Sequence, residues 1–128
     1  MIKFRAWDKQ EKRMLVVYRI SFDGPIEGAQ VHCYLDDRGS EGSTEYSYDG
    51  DGLILEQFTG LKDVNGKDIY EGDILENRKY RSIVKFASGK FLADVVGTIS
   101  RFDLIGETHG SKVIGNVHEN PELLEKDK

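Results

Sequence analysis

The chain is poor in the residues from which most catalytic and metal sites are built. Its 128 residues include one cysteine, two prolines, one tryptophan and three histidines. A lone Cys33 excludes an internal disulfide and a thiolate cluster for structural zinc, and it fits a reducing cytoplasm. His32, His109 and His118 follow no zinc spacing, and His32 and Cys33, being adjacent, point to opposite faces of any strand. The longest apolar run, Met14 to Tyr18, is far short of the ~20 residues that cross a bilayer. Lys3, Arg5 and Asp8 interrupt the start before any signal-peptide apolar region. No phosphate-cradling loop is present, since Gly50 and Gly52 precede neither a GK[ST] motif nor a helix. The expectation is a cytoplasmic protein without membrane contact, without a cofactor or metal, and without enzymatic activity.

What is present is glycine and segmented charge. Fourteen glycines suit many tight turns and favour short strands over long helices. The net charge of −5 divides into +4 over residues 1–20, −11 over 21–76, +5 over 77–101 and −3 over 102–128. A uniformly basic nucleic-acid surface is thereby excluded, because phosphate neutralisation supplies most non-specific affinity. The block 77–101 is the exception. Arg78, Lys79, Arg81, Lys85, Lys90 and Arg101, with Tyr80 and Phe91 among them, make it the candidate nucleic-acid contact.

Period-two alternation places strands along the whole chain. Ile2, Phe4 and Ala6 alternate with Lys3, Arg5 and Trp7, and Met14–Phe22 returns as a hairpin across the charged turn 8–13. Gly24-Pro25 breaks that strand, and Gln30–Leu35 is the next. Residues 36–52 read as an acidic, exposed loop, with Tyr46 and Tyr48 marking a brief edge strand inside it. Strands follow at 53–58, 73–76, 82–86, 90–96, 99–105 and 112–117. Asn65-Gly66 predicts a two-residue turn with φ > 0 at both positions, and Ala87-Ser88-Gly89 a short hairpin loop. Leu92 and Val96 flank Asp94 on the second face of their strand, so another element or subunit is expected to cover it. Asn120 is placed at the N-cap of a closing helical turn, with Pro121 at its first position. The architecture expected is all-β with two small subdomains. Residues 1–60 form the first, and residues 61–128 form an SH3-like small barrel with a short C-terminal helical turn.

The acids of the central segment invite a site. Asp63-Val64-Asn65-Gly66 resembles the start of a calcium loop, but glycine stands at position four rather than six, and position twelve is Ile74. Glu71, Asp73 and Glu76 offer no His or Cys partner for hydrolysis. Turn-building is the simpler reading for all of them.

Four stretches resemble the YopX family of phage and prophage proteins. They are Ile2–Asp8 (IKFRAWD), Gln57–Leu75 (QFTGLKDVNGKDIYEGDIL), Ile83–Phe86 (IVKF) and Val113–Leu124 (VIGNVHENPELL). The motif residues are Trp7, Thr59, Gly60, Asn65, Gly66, Tyr70, Gly72, Asp73, Gly115, Asn116, Asn120 and Pro121, and their role is read as structural. The resemblance implies an all-β chain, a homo-oligomer, a phage or prophage setting in a bacterium and an unidentified phage or host partner. It implies no reaction. Edge strands, or the face bearing Leu92 and Val96, are the expected contacts between copies.

Overall fold

The computed structural model describes residues 3–21, 30–34, 45–48 and 53–125. The Gly24-Pro25 break and most of the 36–52 loop lie outside them. The described residues form strands and two short 3-10 turns, and none of their helices is long and apolar enough to cross a membrane. The chain divides into two compact units, Met1–Gln57 and Phe58–Lys128.

In the first unit, β1 (Phe4–Asp8), β2 (Arg13–Ser21), β3 (Gln30–Tyr34) and β4 (Glu45–Tyr48) run as an antiparallel meander. The first half of β5 (Leu53–Lys62) pairs with the other side of β1, with Ala6 opposite Leu55. The core is Ala6, Leu15, Val31, Cys33 and Leu53, packed by Val17. Trp7 is buried although it lies on the opposite face of β1 from Ala6. Asp8, expected in the turn, instead ends the strand as a buried residue. Its Oδ1 accepts the N–H groups of Gln10 at 3.0 Å and Glu11 at 3.2 Å, so the side chain folds the loop back on itself.

In the second unit, the latter half of β5 pairs with β6 (Asp68–Tyr70), a strand that the alternation did not reveal. Gly60, at φ 84°, sits where the β5–β6 register shifts. That value is one that only glycine adopts at little cost. A five-stranded antiparallel sheet follows in the order β10-β9-β8-β7-β11. Its members are β7 (Asp73–Glu76), β8 (Arg81–Ala87), β9 (Lys90–Val95), β10 (Arg101–Asp103) and β11 (Lys112–Asn116). One face carries the core of Leu75, Val84, Ala93 and Leu104 with Ile69. The edge strands β10 and β11 do not pair with each other, so the closed SH3-like barrel is not observed.

Two turns differ from expectation. At Asn65-Gly66 only Gly66 takes positive φ, at 81°. Gly66 N–H donates to Asp63 C=O at 3.0 Å, and Asp63 N–H to Lys67 C=O at 2.8 Å. That is a right-handed turn closed by one left-handed glycine. The two-residue turn with both φ positive lies instead at Ser88 (55°) and Gly89 (80°), between paired Ala87 and Lys90. The strand expected over 99–105 contracts to β10, and Leu104–Gly106 forms a 3-10 turn that drops Leu104 into the core. Pro121–Leu124 is a 3-10 turn with Pro121 at its start, but Asn120 makes no side-chain cap bond to it.

Candidate functional site

The central segment reads first as a row of carboxylates, and the structure assigns those carboxylates to the backbone. Asp63 is 7% exposed. Its Oδ1 accepts Asn65 N–H at 2.8 Å and Lys67 N–H at 2.9 Å, and its Oδ2 accepts Val113 N–H at 2.8 Å. Burial pushes its pKa up, yet the N–H groups of Val113, Lys67 and Asn65, helped by the Lys67 charge, leave it below the ordinary carboxylate value. One side chain therefore builds the β5–β6 turn and ties it to β11. Asp73 is also buried, and its Oδ2 accepts Tyr70 N–H at 2.8 Å. Between them Gly72, at φ 83°, donates to Val84 C=O at 2.8 Å and accepts from Val117 N–H at 2.9 Å. The Thr59 hydroxyl bridges the same region, donating to Ile69 C=O at 2.8 Å and accepting from Leu61 N–H at 3.2 Å.

The closing motif is a second clasp. Asn116 Oδ1 accepts the N–H groups of His118 at 3.0 Å and Glu119 at 2.9 Å, while its Nδ2 donates to Glu119 at 2.7 Å. Asn120 turns back, its Oδ1 accepting Asn116 N–H at 3.2 Å. A Cβ on Gly115 would stand 2.5 Å from that oxygen, so only glycine fits. Among the described residues, no cluster of three His, Cys, Asp or Glu side chains is placed to hold a metal.

The basic block is mostly neutralised inside its own unit. Arg81 pairs with Glu76 at 3.0 Å and donates to Leu123 C=O at 3.1 Å. Lys85 and Arg101 share Asp94, at 3.3 and 2.5 Å, and Lys90 meets Asp103 at 2.9 Å. The Arg101 bond, opposed by burial and aided by Lys85, keeps the Asp94 carboxyl below its ordinary value. Arg78 and Lys79 remain exposed at an open groove of about 470 Å³, whose other walls include Tyr80, Val96, Thr98 and Leu123. Tyr80 is not free to stack on a base. Its ring lies 5.9 Å from Phe102 and its hydroxyl donates to Glu107, an acceptor that, with burial, raises the phenol pKa.

On the second face of the sheet Leu92 is already 5% exposed in the single chain, between its cross-strand neighbours Lys85 and Asp103. That face therefore offers no apolar contact at Leu92. Exposed apolar side chains of this unit include Val64 (57%), Ile99 (103%) and Phe102 (44%), together with Phe86 (50%) and Ile105 (67%). Beside the last two is an apolar groove of about 190 Å³ lined by Leu61, Phe91, Leu104 and Ile105, with Lys90 and Asp103 at its mouth. Alternation along β8 sets Phe86 on the same face as the buried Val84. The parity is right, but β8 outruns the core at this end.

A family model described as YopX protein matches residues 3–125. The chain belongs to the YopX family. Protein EF1440 from Enterococcus faecalis, solved by crystallography, is similar to it at 32% identity, with a TM-score of 0.64 over 98% of this chain and 99% of that one. Among curated proteins none matches. Within this YopX chain, Thr59, Gly60, Gly66, Gly72, Asp73, Gly115, Asn116, Asn120 and Pro121 sit in turns, bulges or the closing clasp. Tyr70 packs 5.5 Å from Phe58.

Proposed function

We propose that this YopX-family chain is a non-enzymatic module that associates with itself in the cytoplasm of a bacterium carrying a phage or prophage. One observation carries the reading: an apolar groove walled by Leu61, Phe91, Leu104 and the exposed Ile105, with the exposed Phe86 packed 4.9 Å from Phe91. Single exposed apolar residues need no explanation, but a grouped set bordering a groove marks a contact surface. The use of the buried Asp63 and Asp73 as acceptors of backbone N–H groups supports the non-enzymatic part. Light scattering across micromolar concentrations tests it. The expected mass is a multiple of 14.5 kDa that falls towards the monomer in a Phe86→Ser, Ile105→Ser variant. A monomer mass for the unaltered chain at every concentration refutes the reading.

A second reading, phosphate binding by the 77–101 hairpin, has Arg78 and Lys79 in its favour, exposed together at the larger groove. The four other cations are ion-paired within the unit, so two contacts are left to carry affinity that normally takes six or more.

A further inference from the structure

The strand β10 is three residues long and forms an edge of its sheet. All three residues, Arg101-Phe102-Asp103, are exposed. Which of their backbone groups face outwards follows from the ladder. Val95 N–H donates to Ser100 C=O at 3.0 Å, and the register sets Asp94 opposite Arg101 and Ala93 opposite Phe102. Antiparallel pairs alternate between hydrogen-bonded and not, so Phe102 bonds inwards to Ala93 while the peptide groups of Arg101 and Asp103 point away from β9. A bond on the far side of β9 agrees: Val96 N–H donates to Arg81 C=O at 2.9 Å, which turns Asp94 towards β8 and leaves Ala93 and Val95 for β10.

The side chains alternate in the same way. Arg101 and Asp103 share the face that carries Lys85, Asp94 and Lys90, while Phe102 points to the opposite face, beside Tyr80. The tripeptide is thus self-complementary about its centre. When two copies of β10 run antiparallel with Phe102 opposite Phe102, each Arg101 stands opposite an Asp103. Those are also the residues whose peptide groups face outwards. The Asp103 carbonyl starts the 3-10 turn, so the backbone bond available in each direction runs from Asp103 N–H to Arg101 C=O. Phe102 then forms the close, non-hydrogen-bonded pair.

We infer that two copies of this chain pair antiparallel through β10, about a two-fold axis at Phe102. The inference rests on the self-association reading and names its contact. Such an interface is isologous and closes at two subunits. It also extends an existing charge pattern, in which Asp94 and Lys90 already hold Arg101 and Asp103 on their own side.

Two measurements test it in the full chain, each with circular dichroism to verify folding. The first is a charge-swap cycle read by sedimentation at about 50 mM salt, where the Debye length still spans the contact. Arg101→Asp and Asp103→Arg each set like charges opposite one another twice per dimer, and each is expected to weaken dimerisation about tenfold or more. The double swap restores opposite charges only in this register and is expected to recover most of the loss. Its contacts with Asp94 and Lys90 stay unfavourable, so recovery cannot come from within one chain. The second is Phe102→Cys under mild oxidation. A residue on the axis meets its own copy at the Cα separation of about 4.5 Å that a disulfide accepts, so a covalent dimer is expected. If the unaltered chain dimerises but neither the cycle nor the cross-link behaves this way, β10 pairing is overturned and self-association stands through another surface. If the unaltered chain is monomeric, both fail together.

Discussion

Asp63 is the residue on which the architecture of the second unit can be tested most sharply. Replacing it with asparagine keeps size and shape but converts one of two acceptor oxygens into a donor. Three N–H groups then compete for a single oxygen, and an NH2 group is set against one of them. Asn65 and Lys67 are exposed and regain water at little cost, whereas the Val113 amide, part-buried on the edge strand β11, has Asp63 Oδ2 as its acceptor. Hydrogen bonds to a charged acceptor contribute about 1.5–3 kcal/mol each, and an orphaned buried donor costs about 1–3 kcal/mol. Counting the Val113 bond in full and the turn bonds in part, Asp63→Asn is expected to destabilise the second unit by about 2–4 kcal/mol.

Urea titration followed by far-UV circular dichroism reads this loss, and fluorescence supplies a control. The chain's one tryptophan, Trp7, lies in the first unit, so its emission reports that unit. The variant should shift the dichroism transition more than the Trp7 transition. Acid titration adds a sign. The folded pKa of Asp63 lies below its unfolded value, so its contribution is complete above the unfolded pKa of about 3.9 and is lost as pH falls through the folded pKa. The gap between wild type and variant should therefore narrow below about pH 4. A loss under ~0.5 kcal/mol, or a gap independent of pH in that window, refutes the account of Asp63 as the keystone of this turn.

Three further outcomes are expected. Gly115→Ala drives a Cβ to 2.5 Å from Asn120 Oδ1 and should cost about 1–3 kcal/mol in denaturant titration. Adding Asn120→Ala should recover part of that cost, because it removes the obstructing atom; strict additivity of the two would contradict the contact. Burial, with Asp8 nearby, pushes the Cys33 thiol up to about 11, so at pH 8 a thiol reagent should label it only as fast as the first unit opens. Because the unfolded thiol ionises near 8.5, stability should also fall between about pH 8.5 and the folded value, and Cys33→Ser should lack that slope. Arg78→Glu with Lys79→Glu should leave stability unchanged; steeply salt-dependent binding of single-stranded oligonucleotides that this pair abolishes would establish the second functional reading.

Strand existence was legible from short apolar runs bounded by glycine and charge. The first half of β8 shows the period-two burial of a strand with one covered face, whereas β7 is buried on both. What the pattern could not supply was set by partners distant in sequence. Asn65-Gly66 has the composition of a two-residue turn, but the Asp63 carboxylate captures the Asn65 N–H and holds that residue right-handed, leaving only Gly66 at positive φ. Ile99 and Ile105 read as strand because both are β-branched, yet neither is in β10. The buried residue between them is Leu104, and it reaches the core by leaving the strand. The basic block looked like a phosphate surface because its acids, Asp94 apart, lie outside it in sequence, at Glu76 and Asp103.

The same logic separates what marks the family from what the chain does. Asp63 and Asn116 satisfy backbone groups that the tight turns would otherwise leave unpaired, Gly72 supplies a positive φ and Gly115 leaves room for Asn120. Substituting any of them would disturb the fold before any function. A contact surface obeys a weaker constraint, needing only the right character at exposed positions. Phe86, Phe102 and Ile105 meet it from a hairpin end, an edge strand and a 3-10 turn, and only Phe86 lies in one of the family stretches. The antiparallel register brings Phe86 opposite Phe91, a wall of the groove that Ile105 also lines, and sets Phe102 opposite Ala93 on the neighbouring edge. That is why the longest motif in the chain builds the fold while the proposed contact lies largely outside it, on residues whose exposure only the folded register reveals.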